Sequence, residues 1–351
     1  MKHYNKILVG CVIASSVALT GCTEDSPITN PPVNHEKVEI VRGSFAKGAD
    51  VSWLTELEKE GYVFYDANHQ EKECMELLRD ECGVDAIRLR VWVNPETGWN
   101  SIEDVVVKAR RAHNLGLRLM IDFHFSDTWA DPGNQITPAA WADYDLDKLK
   151  EAVSSHVTEM LGKLKALNIE PEWVQIGNET RNGMLHPLGN YQNGGNFAEL
   201  VNSGYDATKA VFPDCAVIIH LDSGNSLDLY TRIFNNLATY GGKYDMIGMS
   251  LYPDESNWET IVQSCVDNIN SVAKTYGKPV MICEVGMKYD IPEVANKMMT
   301  KLRSLCETST NGQCKGIFYW EPEAPAGYNG GYDKGCFIDG SPTEALDCFK
   351  N

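Results

Sequence analysis

The sequence predicts a single (β/α)8 barrel, and three observations carry that prediction. Short apolar, β-branched runs recur eight times. Longer amphipathic stretches lie between them, and the long polar loops follow strand-like runs rather than precede them. Strands apolar on both faces and alternating with helices belong to a parallel sheet covered by helices. Eight such units in about 300 residues suit one closed barrel. A doubly wound sheet is the architectural rival. Neither GxGxxG nor GxxxxGK[ST] follows an early strand, which counts against it.

Taken in order, the strand-like runs are KGADVSWL (47–54), AIRLRVWV (86–93), RLMIDFHF (118–125), WVQIGNE (173–179), AVIIHLD (216–222), MIGMSLY (246–252), VMICEVG (280–286) and GIFYWEP (316–322). The stretch 101–116 between the second and third has Ser101 and Asp104 as a capping-box-like start and Gly116 as a stop. Residues 146–167, 257–277 and 292–306 have the same amphipathic character. Loops 126–141, 180–196 and 323–341 follow strands three, four and eight. In a barrel those loops sit at the C-terminal strand ends, where active sites are built.

The N-terminus is expected to lie outside this domain. Lys2 and Lys6 precede an apolar run too short to span a bilayer, which reads as an export signal over residues 1–21. Its end, LTGC, resembles a bacterial lipobox and would make Cys22 a lipidated first residue; the alternative is an ordinary secretion signal with an incidental cysteine. Residues 22–42 then read as the lipidated Cys and a polar, Pro-containing tether, and residues 43–351 as the barrel domain. Glu24 and Asp25 resemble a surface-export signal. The expected location is the outer membrane, at the cell surface, with the lipid as the only membrane contact and the protein a monomer.

The 351-residue chain is 43% hydrophobic and 23% charged, an ordinary globular composition. Its net charge of −18 argues against a nucleic acid or other polyanion as partner. Of its 11 cysteines, nine remain once Cys11 and Cys22 are set aside. An odd number leaves at least one unpaired within the chain. Export would permit disulfides, and Cys306/Cys314, Cys74/Cys82 and Cys336/Cys348 are neighbouring couples. No CxxC pair has zinc-site spacing.

The strand ends carry the chemistry. Strand one ends at Asp50. Strand two brings Arg88, Arg90 and Trp92 to one face by period-two alternation. Strand three brings Asp122 and His124, strand four Asn178 and Glu179, strand five His220 and Asp222, strand six Tyr252, strand seven Glu284, and strand eight Trp320. Any one such residue could be a helix cap or hydrogen-bond anchor. Glu284 resists that reading, because it interrupts an apolar run and an unpaired buried carboxylate is costly. Two glutamates reached through apolar strands on opposite sides of a barrel suit glycoside hydrolysis with retention. That reaction needs a nucleophile and an acid/base about 5–5.5 Å apart.

KGADVSWL, RLRVWVNP, DFHFSDTWADPGNQITPAAW, VQIGNETRNGMLHP and YWEP together resemble the endo-β-1,4-galactanases of glycoside hydrolase family 53, over about residues 45–340. The resemblance implies an endo-acting retaining hydrolase of β-1,4-galactan, the arabinogalactan side chains of pectin. It implies Glu179 as acid/base, Glu284 as nucleophile and Asn178 on the sugar 2-hydroxyl. Arg88 would keep Glu284 ionised, with His124 and Tyr252 completing its polar shell. Trp320 would be the stacking floor, and Trp92 and Trp129 further subsites. Asp50 would bind a substrate hydroxyl or cap its loop. Tyr328 and Tyr332 would extend the cleft or be surface aromatics. Some bacterial relatives carry a calcium loop near strands seven and eight. Here VGMKYDIP is short, so no cofactor or metal is expected; Asp333 and Asp339 keep calcium open.

Three rivals remain. A mannanase or cellulase of the same clan is nearest, since axial 4-hydroxyls bend a galactan chain in a way loops must follow and sequence does not show. A metal-dependent barrel hydrolase would use His124, Glu179, His220 and Glu284, although strand one lacks an HxH pair. A non-catalytic glycan-binding lipoprotein would have no use for both glutamates.

Overall fold

In the computed structural model, residue 40 and residues 42–350 are described, and they belong to one compact unit spanning 37–351. The export signal, Cys22 and most of the expected tether lie outside the described residues. Among the described residues, no helix is long and apolar enough to cross a membrane.

Eight strands close into a barrel in sequence order. They are β1 (Ala46–Asp50), β2 (Ala86–Val91), β3 (Arg118–Phe123), β4 (Trp173–Ile176), β5 (Ala216–Leu221), β6 (Met246–Leu251), β7 (Val280–Val285) and β8 (Cys314–Trp320). All neighbours pair in parallel, and β1 closes on β8 through Gly48 opposite Phe318. The principal connecting helices are α1 (Leu54–Lys59), α2 (Cys74–Cys82), α3 (Ile102–Asn114), α4 (Leu146–Ala166), α5 (Asn196–Val211), α6 (Leu227–Thr239), α7 (Trp258–Tyr276) and α8 (Pro292–Ser309). Ser101 caps α3 by accepting from the Asp104 N–H, as its sequence spacing predicts. The doubly wound alternative is thereby excluded.

Alternation divides the core into two layers. Ile87, Leu89, Ile121, Val174, Ile176, Ile219, Ile247, Ile282 and Ile317 face outward into the cluster shared with the helices. Ala46, Ala86, Met120, Trp173, Ile218, Met246, Met281, Cys283 and Phe318 fill the barrel interior. The interior is therefore a packed plug beneath the mouth. It needs small residues where large ones cross: a Cβ on Gly48 would lie 2.2 Å from the Phe318 ring.

All nine cysteines among the described residues are free thiols, and only Cys348 is not fully buried. The neighbouring couples considered from sequence are thus unbridged. Burial pushes the Cys215, Cys265 and Cys283 thiols up, so they behave as inert core residues.

Candidate active site

The mouth is built around one buried guanidinium. Arg88 is inward on β2, where it donates to Asp50 (2.7 Å) and Asp122 (2.8 Å), to Gln175 (3.2 and 3.3 Å) and to Asn178 Oδ1 (3.0 Å). Its Nη2 lies 2.9 Å from Glu284 Oε1. The other oxygen of Glu284 accepts from the Tyr252 hydroxyl at 2.8 Å. Arg88, Glu284 and Tyr252 are thereby brought into mutual contact at the mouth.

Glu284 reaches this position through an irregularity. On β7, Val280, Ile282 and Val285 face outward while Met281 and Cys283 face inward. Strict alternation would send Glu284 outward with Ile282. Instead the β6–β7 register shifts, so that Met249 pairs with Ile282 and Ser250 with Glu284. This β-bulge leaves Cys283 unpaired and turns the next side chain into the mouth.

The end of β4 uses a different device. Gly177 has φ +80°, and Glu179 itself has φ +47°. Left-handed backbone suits glycine and strains a glutamate; such strain concentrates at functional sites. A Cβ on Gly177 would also lie 2.6 Å from Thr180 Cγ2. With two left-handed residues flanking Asn178, consecutive side chains both serve the mouth. Asn178 Oδ1 accepts from Arg88, and its Nδ2 donates to the Ala130 carbonyl at 2.8 Å. Glu179 Oε1 accepts from the Ser250 hydroxyl at 2.7 Å.

The two carboxyls are tuned apart. Burial and then the charge of Glu284 push Glu179 up to about 8, against the Ser250 hydrogen bond and the Arg88 charge. Burial also pushes Glu284 up, but the adjacent Arg88 charge and the Tyr252 hydrogen bond oppose it. Glu284 therefore ionises first and Glu179 keeps its proton near neutrality. A pair whose environments separate an acid from a carboxylate is what acid/base chemistry requires.

Other expected contacts change. His124 does not touch Glu284: its Nε2 lies 3.0 Å from Asp122, and its Nδ1 accepts from Trp92 Nε1 and the Ala130 N–H. Burial holds its pKa below the ordinary histidine value. The neutral ring thus anchors Asp122 below and Trp92 above. Asp50 is fully buried, and Arg88 and Ser52 consume its carboxylate. It supports the guanidinium and has no face toward a substrate hydroxyl. His124 and His220 both have their ring nitrogens engaged within the chain. Among the described residues no cluster of three or more His, Cys, Asp or Glu could hold a metal. Asp333 pairs with Lys334 at 2.7 Å, and Asp339 sits at φ +49° just beyond the short strand Phe337–Ile338.

Aromatic side chains form one wall. Trp320 is half-buried, with its ring centroid 6.0 Å from Trp129, 5.2 Å from Trp53, 5.0 Å from Tyr332 and 6.4 Å from Tyr252. Trp92 meets Trp129 at 5.3 Å. The Arg90 guanidinium lies 4.3 Å from the centre of the Trp129 ring and donates to Glu321 at 2.7 Å, which fixes the wall from below. Tyr328 and Tyr332 join this cluster through Trp53. On the other side a hollow of about 350 Å³ is lined by Glu179, Asp222, Ser223, Asn225, Tyr252 and Asn257. A larger groove of about 830 Å³ borders α3 and α4 and contains neither glutamate.

Sequence reasoning missed Gln175, Ser250 and Trp53. Gln175 stands two residues after Trp173, which opens the fourth strand-like run and faces the barrel interior, and Ser250 stands two residues before Tyr252, named at the end of the sixth. Period-two counting would have found both. Trp53 follows the end of β1, where no alternation remains to place it.

Residues 46–351 match the profile of Glycosyl hydrolase family 53. The chain belongs to glycosyl hydrolase family 53. As a member, it is a glycoside hydrolase with a (β/α)8 catalytic domain. It is 33% identical over 298 residues to "Arabinogalactan endo-beta-1,4-galactanase A" of Emericella nidulans, covering 79% of this chain and 84% of that protein. Fungal beta-1,4-galactanase structures superpose with a TM-score of 0.79 at 29% identity, covering 86% of this chain and 98% of theirs. The family 53 catalytic domain of Ignisphaera aggregans gives 0.80 at 27% identity, covering 91% and 99%.

Proposed function

We propose that this family 53 hydrolase is an endo-β-1,4-galactanase acting by double displacement, with Glu179 as acid/base and Glu284 as nucleophile. The observation that carries the roles is the asymmetric setting of the two carboxyls. Glu284 is held by Arg88 and Tyr252, whereas Glu179 is held only by Ser250 and pushed up to about 8. Glu284 attacks the anomeric carbon while Glu179 gives its proton to the leaving oxygen. Glu179, now ionised, takes a proton from water as that water displaces Glu284. Asn178 has an amide hydrogen beyond the one given to Ala130, available to the sugar 2-hydroxyl. Trp320 offers an aromatic face to the sugar ring. The polar hollow beside Glu179 suits the leaving portion of the chain, which an endo-acting enzyme must accommodate.

Galactan as substrate is supported by the relatives' activity and by the motifs shared with that family. Digestion of linear β-1,4-galactan beside mannan and cellulose tests it. Soluble galactose oligomers are expected from galactan alone, with the first product in the β-configuration by proton NMR. Release from mannan or cellulose instead, or an initial α-anomer, would overturn the substrate or the mechanism.

The lipobox-like LTGC supports a lipid anchor on Cys22 and placement at the outer membrane, facing polymer outside the cell. Metabolic labelling with a fatty acid should mark the wild type and spare Cys22→Ser; equal labelling of both would refute the anchor.

A further inference from the structure

We propose that Ser250 and His220 are positioning residues for Glu179, forming a hydrogen-bond chain whose direction reverses with the charge of that carboxyl. The proposal rests on Glu179 being the group that cycles its proton. Three links are on hand. Glu179 Oε1 lies 2.7 Å from Ser250 Oγ, and that oxygen lies 2.8 Å from His220 Nε2. His220 Nδ1 then meets two groups at once: Asn178 Oδ1 at 2.9 Å and Gln175 Nε2 at 3.0 Å.

That last fork decides the matter. Asn178 Oδ1 faces Arg88, which only donates, and Asn178 Nδ2 faces the Ala130 carbonyl, which only accepts. The amide orientation is therefore forced. Gln175 is forced likewise, with Oε1 toward Arg88 and Nε2 2.6 Å from Asp122 Oδ1. His220 Nδ1 consequently has a fixed acceptor and a fixed donor in reach. Either neutral tautomer of this fully buried ring finds partners on both nitrogens.

Two complete arrangements follow. With Glu179 ionised, Gln175 donates to Nδ1, His220 Nε2–H donates to Ser250, and Ser250 donates to Glu179. With Glu179 protonated on Oε1, Glu179 donates to Ser250, Ser250 donates to Nε2, and Nδ1–H donates to Asn178. In that state the Gln175 hydrogen has Gly177 O at 3.2 Å. Between the two states the carboxyl gains one proton from solvent. The serine hydrogen rotates, and the imidazole returns its Nε2 proton to solvent and takes another from solvent at Nδ1 during transient opening of the site, so the net uptake is the one proton on Glu179. Only the charge of Glu179 changes. Neither state leaves a buried donor or acceptor of the chain without a partner, the usual cost of moving a proton in a low-dielectric site.

Other charges bear on both ends. Glu284, Arg88 and Asp131 act on Glu179; Arg88, Asp122 and His124 act on His220. Burial and the Arg88 charge keep the His220 ring neutral, so its response is a change of tautomer.

The test is ¹⁵N NMR of the His220 ring in the full protein between pH 5 and 10, with His220→Gln used for assignment. The expected result is a shift from the Nδ1–H to the Nε2–H tautomer as pH rises through about 8, where Glu179 ionises. The transition should vanish in Glu179→Ala. One tautomer at every pH, or a transition that persists in Glu179→Ala, overturns the proposal. Kinetics supply a second reading. Ser250→Ala should lower kcat about tenfold and move the basic limb of the pH–rate profile upward, because a donor to the ionised carboxyl is lost. A merely structural serine would lower activity equally at all pH values. The NMR transition needs no substrate, so a wrong galactan assignment would leave it intact, and the two failures are separable.

Discussion

Replacing Glu179 or Glu284 by alanine is expected to remove nearly all galactan hydrolysis while leaving the fold intact. The acid/base contributes about 10²–10⁴-fold, so Glu179→Ala should fall by that factor on galactan. It should fall far less on an aryl galactoside whose leaving group needs no proton. Glu284→Ala should lose both, since no covalent intermediate can form. Azide separates the roles by stereochemistry. In Glu179→Ala it should trap the galactosyl-enzyme as the β-galactosyl azide. In Glu284→Ala it should enter the vacated face and give the α-azide. The opposite pairing of anomers would exchange the two assignments. The pH profile adds a further check. Glu179 acts in its protonated form, so kcat/KM should decline as pH rises through about 8, and this limb should disappear from the residual activity of Glu179→Ala.

Arg88→Met is expected to damage stability as much as catalysis. One guanidinium neutralises Asp50, Asp122 and Glu284 in a buried cluster. Removing one partner of a buried ion pair costs about 3–5 kcal/mol, and here three carboxylates lose theirs. The sign with pH follows from Asp122. Burial works to raise that carboxyl, but Arg88 and His124 outweigh it and hold it below its ordinary value. In the wild type this contributes stability above the unfolded carboxylate pKa, and the contribution is lost as pH falls through the folded one. In Arg88→Met the unpaired carboxylates titrate upward. The deficit in Tm against wild type should therefore be greatest near neutrality and shrink in acid. A deficit independent of pH would show that packing, not charge, is what Arg88 supplies. Arg88→Lys should recover only part, because a single ammonium does not reproduce a fork spanning Asp50, Asp122 and Asn178. The acid limb of kcat/KM should move upward in Arg88→Met, since Glu284 loses the charge that favours its ionised form, and less in Arg88→Lys, which keeps a positive charge.

Much of this molecule is legible in one dimension. Eight apolar runs separated by amphipathic stretches call for a parallel sheet covered by helices, and the lack of a GxGxxG or GxxxxGK[ST] after an early strand favours closing it into a barrel over the doubly wound rival. Period-two counting on β2, β3 and β5 places Arg88, Asp122 and His220 inside without reference to any contact. The polar strand ends then mark the mouth.

What the linear pattern withheld has identifiable causes. Counting in twos sends Glu284 the wrong way, and only the shifted register between β6 and β7 turns it inward. A bulge is a property of a strand pair, so neither strand announces it alone. Asn178 and Glu179 share the mouth because Gly177 and Glu179 adopt left-handed backbone, a conformation unfavourable for glutamate that the surrounding contacts sustain. Asp50, expected to bind a substrate hydroxyl or cap its loop, takes the second role through Ser52 while it holds Arg88, and His124, expected beside Glu284, becomes a support once Asp122 and Trp92 are seen to occupy its ring nitrogens. Residue type and period decide which side chains enter the barrel wherever the strands run without a bulge. Long-range hydrogen bonds, made only after closure, decide which of them retain an atom for the substrate.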